Sequence, residues 1–338
     1  PDSCYFTSDP SEADLFFVPV LSKPKNTPAI SRACESINID NLVPQVRYMQ
    51  DYPCRHFFVL GKGMHAGGKC TGWWVDPIQQ FKSAMRLSYS HAPFSRREDG
   101  LIVAKDQPKA KAPNAISAPY PSSLHHVGGN TTKNLVSLST TFYRRRYLMS
   151  FVGKDNHGDV AMRTLITSVC RSYNDTSMCK VANVHKAKDF MKIKQRSIFC
   201  LEPVGDSPWR KSLSDDITFG CIPVIFSNAT DNVAPWFWGA WKQQGRILLG
   251  DEYREDILAG RIDLYKLLKS IPPDLLKLLQ ETVAKYGRQF QYSLSDDLFD
   301  GIDVALHGMK DYAEEQNLQG RCSSGGNAKN GPLRKRVI

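Results

Sequence analysis

The stretch FCLEPVGDSP at residues 199–208, followed by WRKSLSDDITFGCIPV at residues 209–224, decides the fold of the second half of this chain. Ile198–Leu201 is a short apolar run followed by turn residues, which predicts a buried strand that ends in a loop. The residues up to Gly220 predict a helix, and Cys221–Phe226 predicts the next strand. This order is typical of a βαβ unit with parallel strands.

The loop after the first of these strands has the composition of an anion-binding corner. Ser207 is a good N-cap residue and Pro208 suits the first helical position, so we expect free backbone N–H groups to face the loop. Helix N-termini of this kind accept phosphate groups. Arg210 and Lys211 in the first turn would oppose the helix dipole, which indicates a bound diphosphate; the alternative is that both point into solvent.

Further α/β patterns extend on both sides of this unit. In the second half we predict a strand at 147–152 and helices near 162–169 and 274–291. In the first half, strands at 15–18 and 57–60 enclose a segment with helical spacing at 30–49, which predicts a parallel α/β lobe.

Composition changes indicate the domain limits. Residues 95–136 are rich in Pro, Ser, Asn, Gly and Lys, which predicts a long loop, and its lysines favour a solvated surface over a binding patch. We expect an N-terminal lobe at 1–140, a C-terminal lobe at 141–312, and a polar, basic tail at 313–338 that is disordered.

The net charge of +10 over 338 residues favours anionic partners, but the basic residues are spread along the chain, which argues against a nucleic-acid module. No apolar stretch approaches the roughly 20 residues that cross a bilayer. The nine cysteines include no Cys-x-x-Cys pair, so thiolate metal binding is not expected. Glycosylation sequons at Asn130, Asn174 and Asn228 favour the secretory pathway, where cysteines can be bridged, although such tripeptides also arise by chance.

The stretch at 199–208 and the GCIPV run at 220–224 resemble the signature of the exostosin family of glycosyltransferases. Other pieces occur in the family's order. They are DPSEADLFFVP at 9–19, HFFV at 56–59, RRYL at 145–148 with Phe151 and Gly153, Arg163, and DVAL at 303–306.

The resemblance implies a GT-B architecture, in which two Rossmann-like lobes face a central cleft. It also implies inverting transfer from a UDP-sugar to a glycan or polysaccharide, with no tightly bound cofactor and no required metal. Family members are Golgi type II membrane proteins and usually carry an earlier strand and an anchor, so the first lobe is expected to be N-terminally truncated here. Whether the chain forms homo- or heterodimers stays open.

The resemblance and the predicted loop together give a set of donor-binding residues: Gly153, Lys154, Arg163, Glu202, Gly205, Asp206, Ser207, Arg210, Lys211, Ser212 and Asp215. Inverting transfer needs a base, for which His56 and His65 are the candidates, because a histidine titrates near neutral pH. His56 begins a strand and also suits a structural part, and His65 suits a solvated loop.

Three positions depart from the family pattern. Arg55 stands where an acidic residue often precedes His-Phe, Ser214 where Phe is usual, and Asp216 where a small residue is usual. The departures at Arg55 and Ser214 keep open a second hypothesis, a catalytically silent subunit that binds glycan or stabilises a partner transferase.

Overall fold

The computed structural model describes residues 5–19, 46–60, 83–89, 94–96, 102–104, 114–122, 145–183, 187–205, 207–293, 299–320 and 322. The chain divides into two compact units. The first unit comprises 1–91, 107–118 and 305–338, and the second comprises 92–106 and 119–304. The second unit therefore begins before the boundary expected at residue 141.

Short strands alternate with helices along the described residues. In chain order the strands are β1 (Phe16–Phe17), β2 (His56–Leu60), β3 (Met85–Tyr89), β4 (Phe94–Arg96), β5 (Ile102–Ala104), β6 (Ala115–Ala118), β7 (Tyr147–Val152), β8 (Cys179–Ala182), β9 (Ser197–Glu202), β10 (Ile222–Ile225) and β11 (Ile247–Leu248). The α-helices are α1 (Val160–Ser172), α2 (Ala187–Gln195), α3 (Lys211–Thr218), α4 (Asn228–Asp231), α5 (Pro235–Trp238), α6 (Arg254–Leu258), α7 (Leu264–Lys269), α8 (Pro273–Tyr286) and α9 (Gly301–Leu318). Short 3₁₀ turns lie at Pro53–Arg55, Gly239–Gln244, Asp251–Tyr253 and Gly287–Phe290.

The first unit contains a parallel sheet with strand order β1-β2-β3-β6. The two strands predicted near residues 16 and 57 are confirmed as parallel neighbours. The predicted loop at 95–136 is wrong in part, because β6 pairs with β3 inside it and β4 pairs with β5 in a separate antiparallel ribbon. The sequence of β6, Ala-Ile-Ser-Ala, has one strong strand former, so its pairing partner rather than its own propensity defines it. Most of the helical spacing at 30–49 lies outside the described residues.

The C-terminal helix corrects the expectation of a disordered tail from residue 313. Helix α9 continues to Leu318, and Cys322 forms a disulfide with Cys54. Within the first unit, the Tyr312 hydroxyl donates to Asn114 Oδ1 at 2.6 Å. These tertiary contacts stabilise the helix, and they could not be predicted from the polar composition of the segment.

The second unit contains a five-stranded parallel sheet with order β11-β10-β9-β7-β8. Its core combines alternate strand residues, among them Met149, Phe151, Phe199 and Leu201, with helix residues such as Ile166. The chain runs from β7 outward to β8 and then returns to the other side of β7 to form β9. The strand order therefore reverses between β7 and β9, as in flavodoxin-like sheets.

Disulfides pair all six cysteines that the structure describes. Besides Cys54–Cys322, they are Cys170–Cys179 and Cys200–Cys221. The Cys200–Cys221 bridge joins β9 to the start of β10 and closes the segment that contains α3. Such a bridge contributes about 3 kcal/mol to stability through loop closure. Among the described helices, none is both long and apolar enough to cross a membrane.

Candidate anion-binding site

Two loops leave the carboxyl ends of β7 and β9 at the point where the strand order reverses. The first runs from Gly153 to Asp159, and the second comprises 203–205 and 207–210 among the described residues. In open α/β sheets, ligands bind outside the carboxyl ends of the strands at such a switch point. The structure thus brings most of the predicted donor-binding residues to the edge of the sheet where a ligand is expected.

The two loops touch through their backbones. The Asp159 N–H donates to the carbonyl oxygen of Val204 at 3.0 Å. Gly158 has a φ of +71°, and a Cβ added there would lie 2.3 Å from the Val204 oxygen. Glycine is therefore required at position 158 both for its backbone conformation and for the close approach of the loops.

The Arg163 side chain, only 1% exposed, contacts the backbone of both loops from the protein interior. Its guanidinium donates to the carbonyl oxygens of Lys154 at 2.6 Å, Pro203 at 2.9 Å and Val204 at 2.9 Å. From the sequence, Arg163 is expected to be one of the donor-binding residues. The structure corrects this expectation, because Arg163 binds the loop backbone beneath the site.

Asp159 supports the first loop from its other end. It is the N-cap of α1 and accepts a hydrogen bond from the Met162 N–H at 3.2 Å. The same carboxylate accepts from Arg254 Nε at 2.9 Å and Nη2 at 3.0 Å. The hydrogen bond with Asp159 raises the pKa of Arg254. Sequence reasoning misses this bidentate pair because the two residues lie 95 positions apart.

Helix α3 begins at Lys211 with Arg210 as its N-cap, so the prediction of Ser207 as N-cap is wrong. The Ser207 hydroxyl instead donates to the Trp209 carbonyl oxygen at 2.7 Å. The fully buried Trp209 ring stacks on Phe290 at 5.4 Å, and this tertiary contact carries the chain past the predicted helix start. Arg210 provides no side-chain cap; in the first turn, the Leu213 N–H donates to the Arg210 carbonyl oxygen at 3.0 Å. The positive end of the helix dipole at this terminus suits an anion.

The Arg210 side chain crosses over Gly205. A Cβ added at Gly205 would lie 2.4 Å from Arg210 Cδ and 2.7 Å from its Nε. Any larger residue at position 205 would therefore displace Arg210. The glycine of the predicted loop positions a cation next to the helix terminus.

Lys211 and Asp215 form an ion pair along α3, with Nζ 3.0 Å and 3.2 Å from the two carboxylate oxygens. Asp215 is buried and also accepts from the Ser122 hydroxyl at 2.8 Å. Its predicted part in donor binding therefore competes with two partners from the protein. Lys211 keeps 48% of its side chain exposed and can also contact a ligand.

Glu202 and Ser212 lie in a buried polar cluster beside α3. Glu202 Oε1 accepts from the Ser212 hydroxyl at 2.6 Å and from Lys194 Nζ at 3.4 Å. Lys194 Nζ also donates to the Ser212 carbonyl oxygen at 3.1 Å and to Asp216 Oδ1. These partners direct Glu202 and Ser212 into the protein rather than toward a ligand, contrary to their predicted part in donor binding.

The family model that matches is that of the Exostosin GT47 domain, over residues 1–232 of the 338. The chain belongs to the exostosin GT47 family. The xyloglucan-specific galacturonosyltransferase 1 of Arabidopsis thaliana is 39% identical over 167 residues, covering 46% of this chain and 24% of that protein. A probable xyloglucan galactosyltransferase of the same plant, GT13, is 28% identical over 182 residues, covering 51% and 37%. The probable beta-1,4-xylosyltransferase IRX10L of Arabidopsis thaliana is 26% identical over 294 residues, covering 82% of this chain and 64% of that protein. The chain spans less than two thirds of the length of each of these relatives.

Two departures of this exostosin domain from the family pattern have partners in the structure. Ser214 accepts a hydrogen bond from the indole Nε1 of Trp209 at 3.0 Å, which phenylalanine could not do. Asp216, where a small residue is usual, pairs with Lys194. Both partners lie close to α3, so each unusual side chain is matched locally.

The first of the two histidines, His56, is 1% exposed and stacks on Phe16 at 4.8 Å. Its Nδ1 and Nε2 each lie 2.9 Å from a backbone carbonyl oxygen, of Tyr52 and Arg47 respectively. Burial lowers the pKa of this ring, and the two hydrogen bonds oppose the effect. This environment gives His56 a structural part and does not support it as the base. His65 and Asp206 lie outside the described residues.

No group of three or more His, Cys, Asp or Glu in the described ranges is arranged to hold a metal ion. That the exostosin domain works without a metal stays a prediction.

We expect Arg163→Lys to lower the free energy of unfolding by about 3 kcal/mol or more, because the ammonium donates from one atom, whereas the guanidinium reaches the three buried carbonyls from three different nitrogens. Urea unfolding measures this change. Arg261→Lys is the matched control, since Arg261 is 63% exposed and pairs only at the surface with Asp256; its change should stay within about 0.5 kcal/mol. Equal effects of the two substitutions would contradict the part given to Arg163.

Proposed function

We propose that this exostosin domain transfers a sugar, with inversion, from a UDP-sugar to a polysaccharide acceptor. The observation that carries the proposal is the uncapped N-terminus of α3 at the switch point of the sheet, with Arg210 and Lys211 beside it. Backbone N–H groups and cations at this place suit two linked phosphates. Xyloglucan is the first acceptor to test, because two of the relatives are named for it.

The described residues act on the departing nucleotide. During transfer, the bond between the sugar and the diphosphate breaks, and negative charge increases on the phosphate oxygens. The helix terminus and Arg210 are fixed donors that stabilise this charge, while Lys211 adds a partly exposed ammonium. Lys154, exposed on the first loop, completes the set of cations. We propose no metal for this step.

The acceptor hydroxyl needs a base on the opposite side of the sugar. Inverting transfer is a single displacement, so the base must take the proton as the new bond forms. Of the two histidine candidates, we propose His65. Binding of the acceptor by the first unit is part of the same proposal.

The second candidate function is a silent subunit that binds glycan or stabilises a partner transferase. It is favoured by the pairing of Lys211 with Asp215 and by the enclosed position of His56, since both leave fewer side chains for chemistry. UDP release from a panel of UDP-sugars, with and without xyloglucan oligosaccharide, separates the two functions. Glycan binding without donor affinity or turnover would favour the silent subunit.

We expect Arg210→Ala combined with Lys211→Ala to raise the Kd for UDP about tenfold or more, which corresponds to about 1.4 kcal/mol or more. Titration calorimetry measures the affinity. Lys277→Ala, on the surface of α8 with the lysine 60% exposed, is the control and should leave the Kd unchanged. An unchanged affinity for UDP in the double variant would show that Arg210 and Lys211 at the start of α3 are not part of the donor site.

We propose that the domain works in the lumen of the secretory pathway, in the Golgi, and that the full-length protein is a type II membrane protein. The three disulfides support an oxidising compartment. The described sequons differ in environment. Asn174 is exposed in the loop closed by Cys170–Cys179, whereas Asn228 begins α4 and donates to Glu252 at 3.2 Å.

In protein secreted from eukaryotic cells, we therefore expect an N-linked glycan at Asn174 and none at Asn228. Thr230 of the second sequon is buried, and a glycan at Asn228 would disrupt the contact with Glu252. Mass spectrometry before and after enzymatic deglycosylation measures occupancy, with Asn130→Gln present in every protein compared to remove the remaining sequon. A folded, secreted protein without a glycan at Asn174 would contradict the prediction.

A further inference from the structure

Three ionisable side chains meet beside the first turn of α3 and are shielded from water. Lys194 comes from α2, Glu202 ends β9, and Asp216 lies in α3. Their exposed fractions are 3%, 6% and 0%. Burial of this degree makes each uncompensated charge costly.

The charges in the cluster do not balance if both carboxyl groups are ionised. One ammonium then faces two carboxylates, and the excess negative charge lies in the protein interior. Two interacting carboxyl groups in such a place titrate as a pair that retains one proton. Burial, followed by the charge of Glu202, raises the pKa of Asp216 well above its ordinary value. The charges of Asp216 and Glu202 outweigh the effect of burial on Lys194 and raise its pKa too.

Neighbouring elements do not supply the missing positive charge within the cluster. Asp215, also on α3, adds a carboxylate, but Lys211 pairs with it directly. Strand β10 carries no charged residue. The nearby arginines are Arg288, in the 3₁₀ turn that packs on α3, and Arg145, which donates to the Lys194 carbonyl oxygen at 3.2 Å. Neither of them is among the charges that shift the pKa of Asp216 or Lys194. The proton therefore belongs to the Glu202 and Asp216 pair.

The cluster also fixes the start of α3. Lys194 Nζ donates to both the carbonyl oxygen and the hydroxyl of Ser212, at 3.1 Å and 2.9 Å, and that hydroxyl donates to Glu202. Ser212 is the second residue of the helix. The same side chains that share the proton thus hold the turn whose N–H groups form the anion-binding corner.

We propose that Lys194, Glu202 and Asp216 are positioning residues that hold one shared proton under the first turn of α3 and couple the binding of an anion there to proton uptake. A diphosphate at the helix terminus would repel an unprotonated cluster and favour the protonated one, so each state stabilises the other. The second half of this proposal rests on the proposed donor site, whereas the first half concerns the protein without ligand.

The first experiment compares urea unfolding of the wild-type protein and Asp216→Asn from pH 4 to pH 9. A carboxyl group whose pKa is raised by folding contributes stability below its unfolded pKa of about 4 and loses it as pH rises through the folded pKa. Between pH values of about 4 and the folded pKa, the unfolding constant of the wild-type protein should therefore increase relative to that of the variant, by up to about tenfold per pH unit. Asp256→Asn, in an exposed ion pair, is the control and should follow the wild-type profile.

Glu202→Gln repeats the test if Asp216→Asn fails to fold, because it removes the other carboxyl and leaves Lys194 paired with Asp216 alone. It too should lose the pH dependence. Parallel pH profiles of the wild-type protein and a folded variant would overturn the shared proton.

The second experiment measures UDP binding by calorimetry in buffers with different ionisation enthalpies. The wild-type protein should take up more protons on binding than Asp216→Asn, and comparing the two removes the titration of UDP itself. Equal proton uptake in both proteins would overturn the coupling. If UDP does not bind the wild-type protein, the proposed function fails, and the unfolding profiles still decide whether the cluster holds a proton.

Discussion

The buried guanidinium of Arg163 is the interaction on which the rest of the second unit depends. Two loops leave adjacent parallel strands at the switch point, and their carbonyl groups would be desolvated without donors from the protein. Arg163 supplies donors to three of them at once, with N to O distances between 2.6 Å and 2.9 Å. Because the guanidinium stays charged in a low-dielectric setting, it also contributes positive potential to the loops above it without contacting a ligand.

Around this centre, helix α3 is held at both of its ends by cations from outside the helix. At its start, Lys194 donates to the carbonyl oxygen of Ser212. At its end, Arg145 donates to the carbonyl oxygen of Phe219 at 2.9 Å and also to that of Ser197 at 2.6 Å. The Cys200–Cys221 disulfide closes the same segment covalently. A helix of eight residues is marginal by itself, so these anchors fix the direction in which its N-terminus points.

The sequence predicts the second unit well where one apolar run ends at turn residues. Strand β7 has its predicted limits, and β9, β10 and α8 lie where their patterns indicate, because period and punctuation are local signals. The predicted start of α3 is wrong because the burial of Trp209 outweighs the capping preference of Ser207. The inward orientation of the Glu202 and Ser212 side chains could not be predicted either. It results from their contacts with the buried cluster of Lys194 and Asp216, and no sequence pattern relates all four positions.

Ser214 and Asp216, which depart from the family pattern in this exostosin domain, each have a partner that explains how the structure around α3 is preserved. Leaving a buried aspartate without a cation, or a buried indole without an acceptor, lowers stability by roughly several kcal/mol. Here Asp216 has Lys194, and Trp209 has Ser214. Because both matched pairs lie at α3, the departures preserve the helix rather than disrupt it. Under the proposed function, we expect differences in donor specificity to come from exposed side chains at this corner, chiefly Lys154 and Lys211.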